Sequence, residues 1–253
     1  MSWRHAALQI AVVALVGCTG KEAMIPLLLP QYVAPSAPKT QCELSPAVDA
    51  RISGCPSYDA NAARITRANA NGKQMHTGLC FLGVAALRRE RDLIFELLDN
   101  GADIRKCGGL DVFHHWMIGL GSGLNPCAEG TDKVFGEIEQ RGLSPSNLDE
   151  LLVTAIVRGC NSAIPFFVNR GADVNRPNRS GLRPLFYAMN PSRTTSPEAV
   201  RLLRVAGADP SLIVSVKNHE SLRVGSICEV SQEVYGSLRN WARIQEVLPE
   251  CFR

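Results

Sequence analysis

Aromatic residues are scarce, at 6% of 253 positions. That disfavours a thick core filled by rings and suits thin helical layers packed with Ala and Leu. Charge imbalance is also small, at +3, which leaves out the strong basic field that nucleic acid or an anionic surface requires. No cysteines stand at C-x-x-C spacing, so neither a zinc site nor a thioredoxin-type redox pair is supported. Gly119, Gly121 and Gly123 lack both a preceding strand and a following Gly-Lys-Ser/Thr, so they do not make a phosphate loop. Ser122, among those glycines, does not stand at nucleophile-elbow spacing. At 45% hydrophobic, the chain is ordinary for a globular fold of one large or two small domains.

Cysteine is plentiful, at nine, and the N-terminus gives a reason. Arg4 and His5 precede an apolar run from Ala6 to Val16, the length of a signal-peptide core and too short to span a bilayer. The run ends in Leu15-Val16-Gly17-Cys18, which resembles the lipobox of bacterial lipoproteins. The resemblance implies a signal peptide over 1–17, cleavage before Cys18 and lipidation (palmitate included) of Cys18. Thr19, in place of Asp, implies an outer-membrane lipoprotein facing the periplasm. Cys42, Cys55, Cys80, Cys107, Cys127, Cys160, Cys228 and Cys251 remain, an even set that reads as four disulfides in an oxidising compartment.

From 18 to 56 the chain reads as a lipidated Cys and a tether, because Pro26, Pro30, Pro35, Pro38, Pro46 and Pro56 block helix interiors. An N-terminal cap follows over 57–79, with a short helix expected at Tyr58–Ala68 and a turn at Asn71-Gly72. Next come two helical stripes, Leu82/Ala85/Ala86 and Leu93/Ile94/Leu97/Leu98, closed by Gly101. Such a pair cannot bury both stripes alone and needs copies beside it.

The copies exist. Gly-Ala-Asp occurs at 101–103, 171–173 and 207–209, with Gly142-Leu-Ser as a weaker version. Each follows an apolar stripe, and the period scatters around ~33 residues. Gly181-Leu-Arg-Pro-Leu-Phe-Tyr-Ala188 resembles the G-x-T-P-L-H-x-A opening of an ankyrin repeat, with Arg183 and Phe186 replacing Thr and His. The same frame places Leu82 and Ala85, Phe113 and His114, and Leu152 and Ala155. The resemblance, spanning roughly Cys80 to Asp209, implies an all-α ankyrin-repeat solenoid. About four helix–turn–helix repeats with β-hairpin fingers would occupy 80–212. A C-terminal cap over 213–253 would contain one helix, Ser231–Leu248, with Val234, Leu238, Trp241, Ile244 and Leu248 on a face.

Repeat two departs from the family by carrying Trp116 where a small Ala is expected, and a glycine-rich insert over 119–130. Stacked repeats imply that Cys127 and Cys160 face each other. Eight cysteines allow many connectivities; the expectation is sequential pairing: Cys42–Cys55, Cys80–Cys107, Cys127–Cys160 and Cys228–Cys251.

Chemistry has few candidates. His114 occupies the family's structural histidine position, whereas His115 is expected to face the concave groove; His76 and His219 are lone loop histidines. No catalytic residue, metal site or cofactor is expected, and the chain is not read as an enzyme. The resemblance instead implies protein binding by the concave face and fingers. Val84, His115, Thr154 and Tyr187 would line the groove, with Arg105, Lys106, Asn175, Arg176, Asn178, Arg179 and Arg183 on the fingers. The basic third finger suits an acidic patch on a partner. The unbound chain is expected to be a monomer, touching membrane only through its lipid and binding no nucleic acid. A lipoprotein signal before a repeat domain is similar in layout to immunity proteins of type VI secretion lipases. An envelope scaffold or assembly factor that binds a self-protein is the alternative.

Overall fold

The computed structural model describes residues 47–52, 55, 62–74, 77–103, 111–119, 127, 130–190, 197–217, 222–236 and 241–252. A lone helix, α1 (Ala47–Ile52), comes first. Four helix pairs follow: α2 (Phe81–Arg88) with α3 (Arg91–Asp99), α4 (Val112–Ile118) with α5 (Thr131–Gln140), α6 (Leu148–Val157) with α7 (Ala163–Val168), and α8 (Pro184–Ala188) with α9 (Pro197–Val205). Strands β1 (Ile213–Lys217) and β2 (Leu222–Ser226) then form an antiparallel hairpin, ahead of α10 (Ile227–Tyr235) and α11 (Trp241–Val247).

The helices are short, so stability comes from stacking rather than from any one helix. First helices form one row, α2 on α4 on α6 on α8 on α10. Second helices form the other, α3 on α5 on α7 on α9 on α11. The stripes expected from the sequence fill the space between the rows: Leu82, Ala85, Ala86, Ile94 and Leu97 are at most 1% exposed. Four phenylalanines gather at the junction of the second and third pairs, and Phe186, Tyr235 and Trp241 form a second group toward the C-terminus. Phe113 and Phe135 meet edge to face with centroids 5.0 Å apart, and Phe166 lies 5.4 Å from Phe135. Edge-to-face pairs of this kind add about 0.5–1.5 kcal/mol beyond their burial.

Three expectations are corrected. The tether expected over 18–56 ends in α1, whose Ala50 and Ile52 are buried (2% and 0% exposed), since Pro46 precedes this helix rather than interrupting it. Residues 62–68, the described part of the helix expected over Tyr58–Ala68, form turns instead. Asn69 explains this locally, since its side chain accepts from Thr66 N (2.8 Å) and donates to Arg64 O (3.0 Å), competing with helical bonding. The single helix expected over Ser231–Leu248 is two, α10 and α11. α10 begins at Ile227, because Ser226 and Glu229 form a capping box, and its last turn closes at Gly236, whose N–H donates to Gln232 O (2.8 Å). One continuous helix could extend only one row, whereas two extend both. The C-terminal region is thus a hairpin followed by a helix pair, the order of a fifth repeat.

Successive repeats are tied through short loops. Asn71 donates from Nδ2 to Gly101 O (3.1 Å) and accepts from Asp103 N (2.7 Å). Asn175 repeats the arrangement with Gly207 O (3.0 Å) and Asp209 N (2.9 Å). At 101–103 and 207–209 the Gly-Ala-Asp motif is therefore an acceptor and a donor presented to an asparagine one repeat earlier; at 171–173 the Asp173 N–H donates to Asp149 Oδ1 (2.8 Å) instead. Cys127–Cys160 and Cys228–Cys251 are disulfides, with Cα atoms 4.8 and 4.9 Å apart. Cys55 and Cys80 are also disulfide-bonded; Cys42 and Cys107, their expected partners, lie outside the described residues, as do Cys18 and residues 18–46 of the expected tether.

Candidate functional site

The two rows use their charged residues differently. On the second-helix row, arginines pair with acids of the neighbouring repeat. Arg51 pairs with Glu96, Arg91 with Glu137 (2.7 Å), Arg141 with Asp99 (3.0 Å), Arg170 with Glu139 and Arg204 with Glu250 (2.9 Å). The Arg141 and Arg170 guanidiniums also lie over the Phe95 and Phe166 rings, 4.0 and 3.4 Å from the centroids. Each exposed pair contributes only about 0.2–1 kcal/mol, but together they tie successive repeats along that face.

The first-helix row is arranged otherwise. On α6, Leu151, Leu152, Ala155 and Ile156 are buried. Glu150, Thr154 and Arg158 stand four residues apart and so share another side; Glu150 is exposed, and Thr154 and Arg158 are half-buried. The Thr154 hydroxyl donates back to Glu150 O (2.9 Å). On α4 the half-buried His114 lies within electrostatic reach of Glu150 and Arg158. Burial, first, holds its imidazole below the usual histidine value; Glu150 and Asp111 oppose this, and His115 and Arg158 reinforce it.

This reverses the expected roles of the two histidines. His115 is 7% exposed, its Nδ1 2.9 Å from Asp111 O. Its ring lies against Gly83 of the preceding repeat, where a Cβ would come 3.6 Å from Nε2. Val84 is 4% exposed, so neither it nor His115 lines an open groove. Thr154 and Tyr187 remain half-buried. The Tyr187 hydroxyl accepts from Asn178 Nδ2 (2.7 Å), and burial pushes the phenol above its ordinary value against the pull of that bond.

The fingers are more committed to structure than their composition suggests. Asn175 spans two repeats, as above. Arg183 donates from Nε to Ile213 O (3.1 Å) and also bonds Asn175 O, bridging its finger to the hairpin. Arg176 pairs with Asp149 (3.0 Å) while staying largely exposed. The Asn178 side chain also accepts from Ser180 N (2.9 Å) and Leu182 N (3.0 Å). Arg179 is exposed and has no hydrogen-bond or ion-pair partner among the described residues. Arg105 and Lys106 lie outside those residues.

Two arginines at helix ends were not anticipated. Arg89 closes α2 and Arg158 closes α6, both half-buried. Burial holds both guanidiniums below the usual arginine range, and for Arg89 the nearby Arg158 adds to the effect. The spacing of Glu150, Thr154 and Arg158 could have revealed the second; nothing local marks the first. Among the described residues no cluster of His, Cys, Asp and Glu could hold a metal ion, and no helix is long and apolar enough to cross a membrane.

No protein-family model matches the chain, and no curated protein matches it by sequence. Solved structures do. The ankyrin repeat protein EF0377 matches with a TM-score of 0.53 and 16% identity, over 81% of this chain and 96% of that one. The ankyrin repeat domain of Bcl-3, a member of the IkappaB protein family, matches with a TM-score of 0.51 and 20% identity, over 80% of this chain and 81% of that one. Likeness at such identities concerns the path of the backbone, and with the two helix rows and the Asn-to-Gly-Ala-Asp ties it establishes the fold as an ankyrin-repeat solenoid.

Proposed function

We propose that this chain is a non-enzymatic, protein-binding ankyrin solenoid, held at the periplasmic side of the outer membrane by a lipid on Cys18, and that it neutralises a secreted, lipase-like toxin. The observation that carries the binding reading is the contrast between the rows. The second-helix row ties its arginines to acids of neighbouring repeats, while the first-helix row leaves His114, Thr154, Arg158 and Tyr187 half-buried, with Arg179 free on a finger among the described residues. Solenoids bind through extended faces of this kind. The lipobox-like Leu15-Val16-Gly17-Cys18 and the disulfides support the envelope location.

The test is protection. Cells that direct the product of a neighbouring lipase-like gene to the periplasm are expected to survive when this chain is co-expressed, and to die when it carries Arg158→Glu together with Tyr187→Ala. Death of cells expressing the wild-type chain would defeat the immunity reading. Co-purification with an envelope protein of the same cell instead would favour a scaffold or assembly role.

A further inference from the structure

We infer that the joint between the loops flanking the first helix pair is a paired deamidation site. There Asn71 and Asn100 each react with the backbone nitrogen of the glycine that follows, and stacking of the repeats holds both reactions back. This chemistry is independent of what the solenoid binds.

Asparagine is thermally labile, most of all before glycine, whose nitrogen no side chain shields and whose backbone turns freely. Asn-Gly occurs twice in the sequence, at 71–72 and 100–101. The fold brings the two together, since Asn71 Nδ2 donates to Gly101 O (3.1 Å). Neither glycine is easily replaced. A Cβ at position 72 would come 2.4 Å from Phe81 Cε2, and Gly101 has φ +82°, in the left-handed region. The equivalent joint of the fourth helix pair makes the same two bonds from Asn175 to Gly207 O and Asp209 N. Yet Asn175 precedes Arg176, and Gly207 follows Ala206. The tie itself therefore does not require Asn-Gly, and of these two matched joints only the first carries the labile dipeptides.

In the reaction the glycine nitrogen bonds to the asparagine Cγ, its proton passes to the departing NH2, and ammonia leaves. Water, the only co-reactant, then opens the resulting succinimide to aspartate or isoaspartate. Ring closure needs a free glycine nitrogen and a free carboxamide, and the folded joint offers neither. The Gly72 N–H donates to Asn69 O (2.8 Å) and the Gly101 N–H to Leu98 O (2.8 Å). The Asn71 carboxamide is held at both ends, by Gly101 O and by Asp103 N (2.7 Å). Asn100 donates from Nδ2 to Glu96 O (2.9 Å). Reaction therefore waits on local opening. The first event also promotes the second. Deamidation of Asn71 replaces its NH2 donor by a carboxylate facing the Gly101 carbonyl, so an attraction becomes a repulsion and the loop holding Asn100 loosens.

The experiment incubates the full chain at mildly alkaline pH, folded and in guanidinium chloride, and locates deamidation by fragmenting the intact protein in a mass spectrometer. Both sites should react about tenfold or more slowly in the folded chain than in the unfolded one. In the folded sample, doubly modified molecules should exceed the product of the two single-site fractions. Asn71→Asp, which supplies the carboxylate directly, should raise the folded rate at Asn100 by about threefold or more. Asn175→Asp, at the matched joint, should leave that rate unchanged. Equal folded and unfolded rates at either site overturn the protection. A doubly modified fraction equal to the product overturns the coupling in the wild-type chain, whether or not Asn71→Asp folds.

Discussion

Replacing both Cys127 and Cys160 by alanine should remove a large fraction of the folded state's stability. The two positions are 33 residues apart. Opening a loop of that length frees about 12.5 cal/mol/K in the denatured chain, or about 3.7 kcal/mol at 25 °C. Cys160 is 0% exposed and Cys127 7%, so the lost sulfurs leave space in a packed region, adding about 1 kcal/mol. The sum, about 4–5 kcal/mol, compares with a total of about 5–15 kcal/mol for a typical domain. Equilibrium urea denaturation without reductant is the assay, and the m-value serves as a check that the same surface unfolds. The Cys228–Cys251 loop, at 23 residues, works out at about 3.4 kcal/mol by the same relation. The two double variants should therefore differ mainly through packing, with the half-buried Cys228 making the second the milder. A loss below about 1 kcal/mol for Cys127/Cys160 at unchanged m would refute the loop-entropy reasoning.

Three further outcomes are expected. Asn175→Ala removes both ties to the Gly207–Asp209 loop and should cost about 1–3 kcal/mol in denaturant melts without weakening partner capture, since that side chain is occupied within the protein. His114 has a lowered folded pKa, so the unfolded chain binds its proton first as pH falls. Its contribution to stability is present above about 6.5 and is lost as pH drops toward the folded value; His114→Asn should flatten that part of a pH-dependent urea series. Tyr235 has its phenol pushed up to about 12 by burial and by Tyr187. Its share of stability should persist to about pH 10 and fade as pH climbs toward 12, so absorbance at ~295 nm should show one tyrosine ionising late, and Tyr235→Phe should abolish that late step.

Legibility varied with how local the cause was. The paired helices after Cys80 are written in apolar spacings of three and four, and Gly-Ala-Asp marks where the first, third and fourth pairs end; both survive folding because stacking uses those same stripes. The division between α10 and α11 was hidden, since Val234, Trp241, Ile244 and Leu248 continue at helical spacing across Gly236. Only the need to extend two rows separates them. The exchange of roles between His114 and His115 has a similar origin. Adjacent residues on a helix point about 100° apart, and a seven-residue helix beside a long insert does not settle its own rotation. Packing of the preceding repeat settles it, with the His115 ring lying against Gly83. The fingers misled for another reason: Asn175 and Arg183 look like surface polar residues, yet their partners are backbone carbonyls that exist only once repeats stack. Arg89 was illegible altogether, because it sits in a left-handed turn (φ +56°) that residue type argues against.

Between Cys127–Cys160 and Cys228–Cys251, residues 161–227 hold no cysteine, the longest such run after Cys42. This run holds α7, the third finger, the fourth helix pair and the hairpin, and only non-covalent contacts keep it folded. Force applied across the molecule would therefore lengthen it here first, while 127–160 and 228–251 remain closed rings that cannot be drawn out. The C-terminal half of the solenoid would then behave as two short covalent knots joined by an extensible spring, with Thr154 and Arg158 anchored on the first knot and Tyr187 carried on the spring.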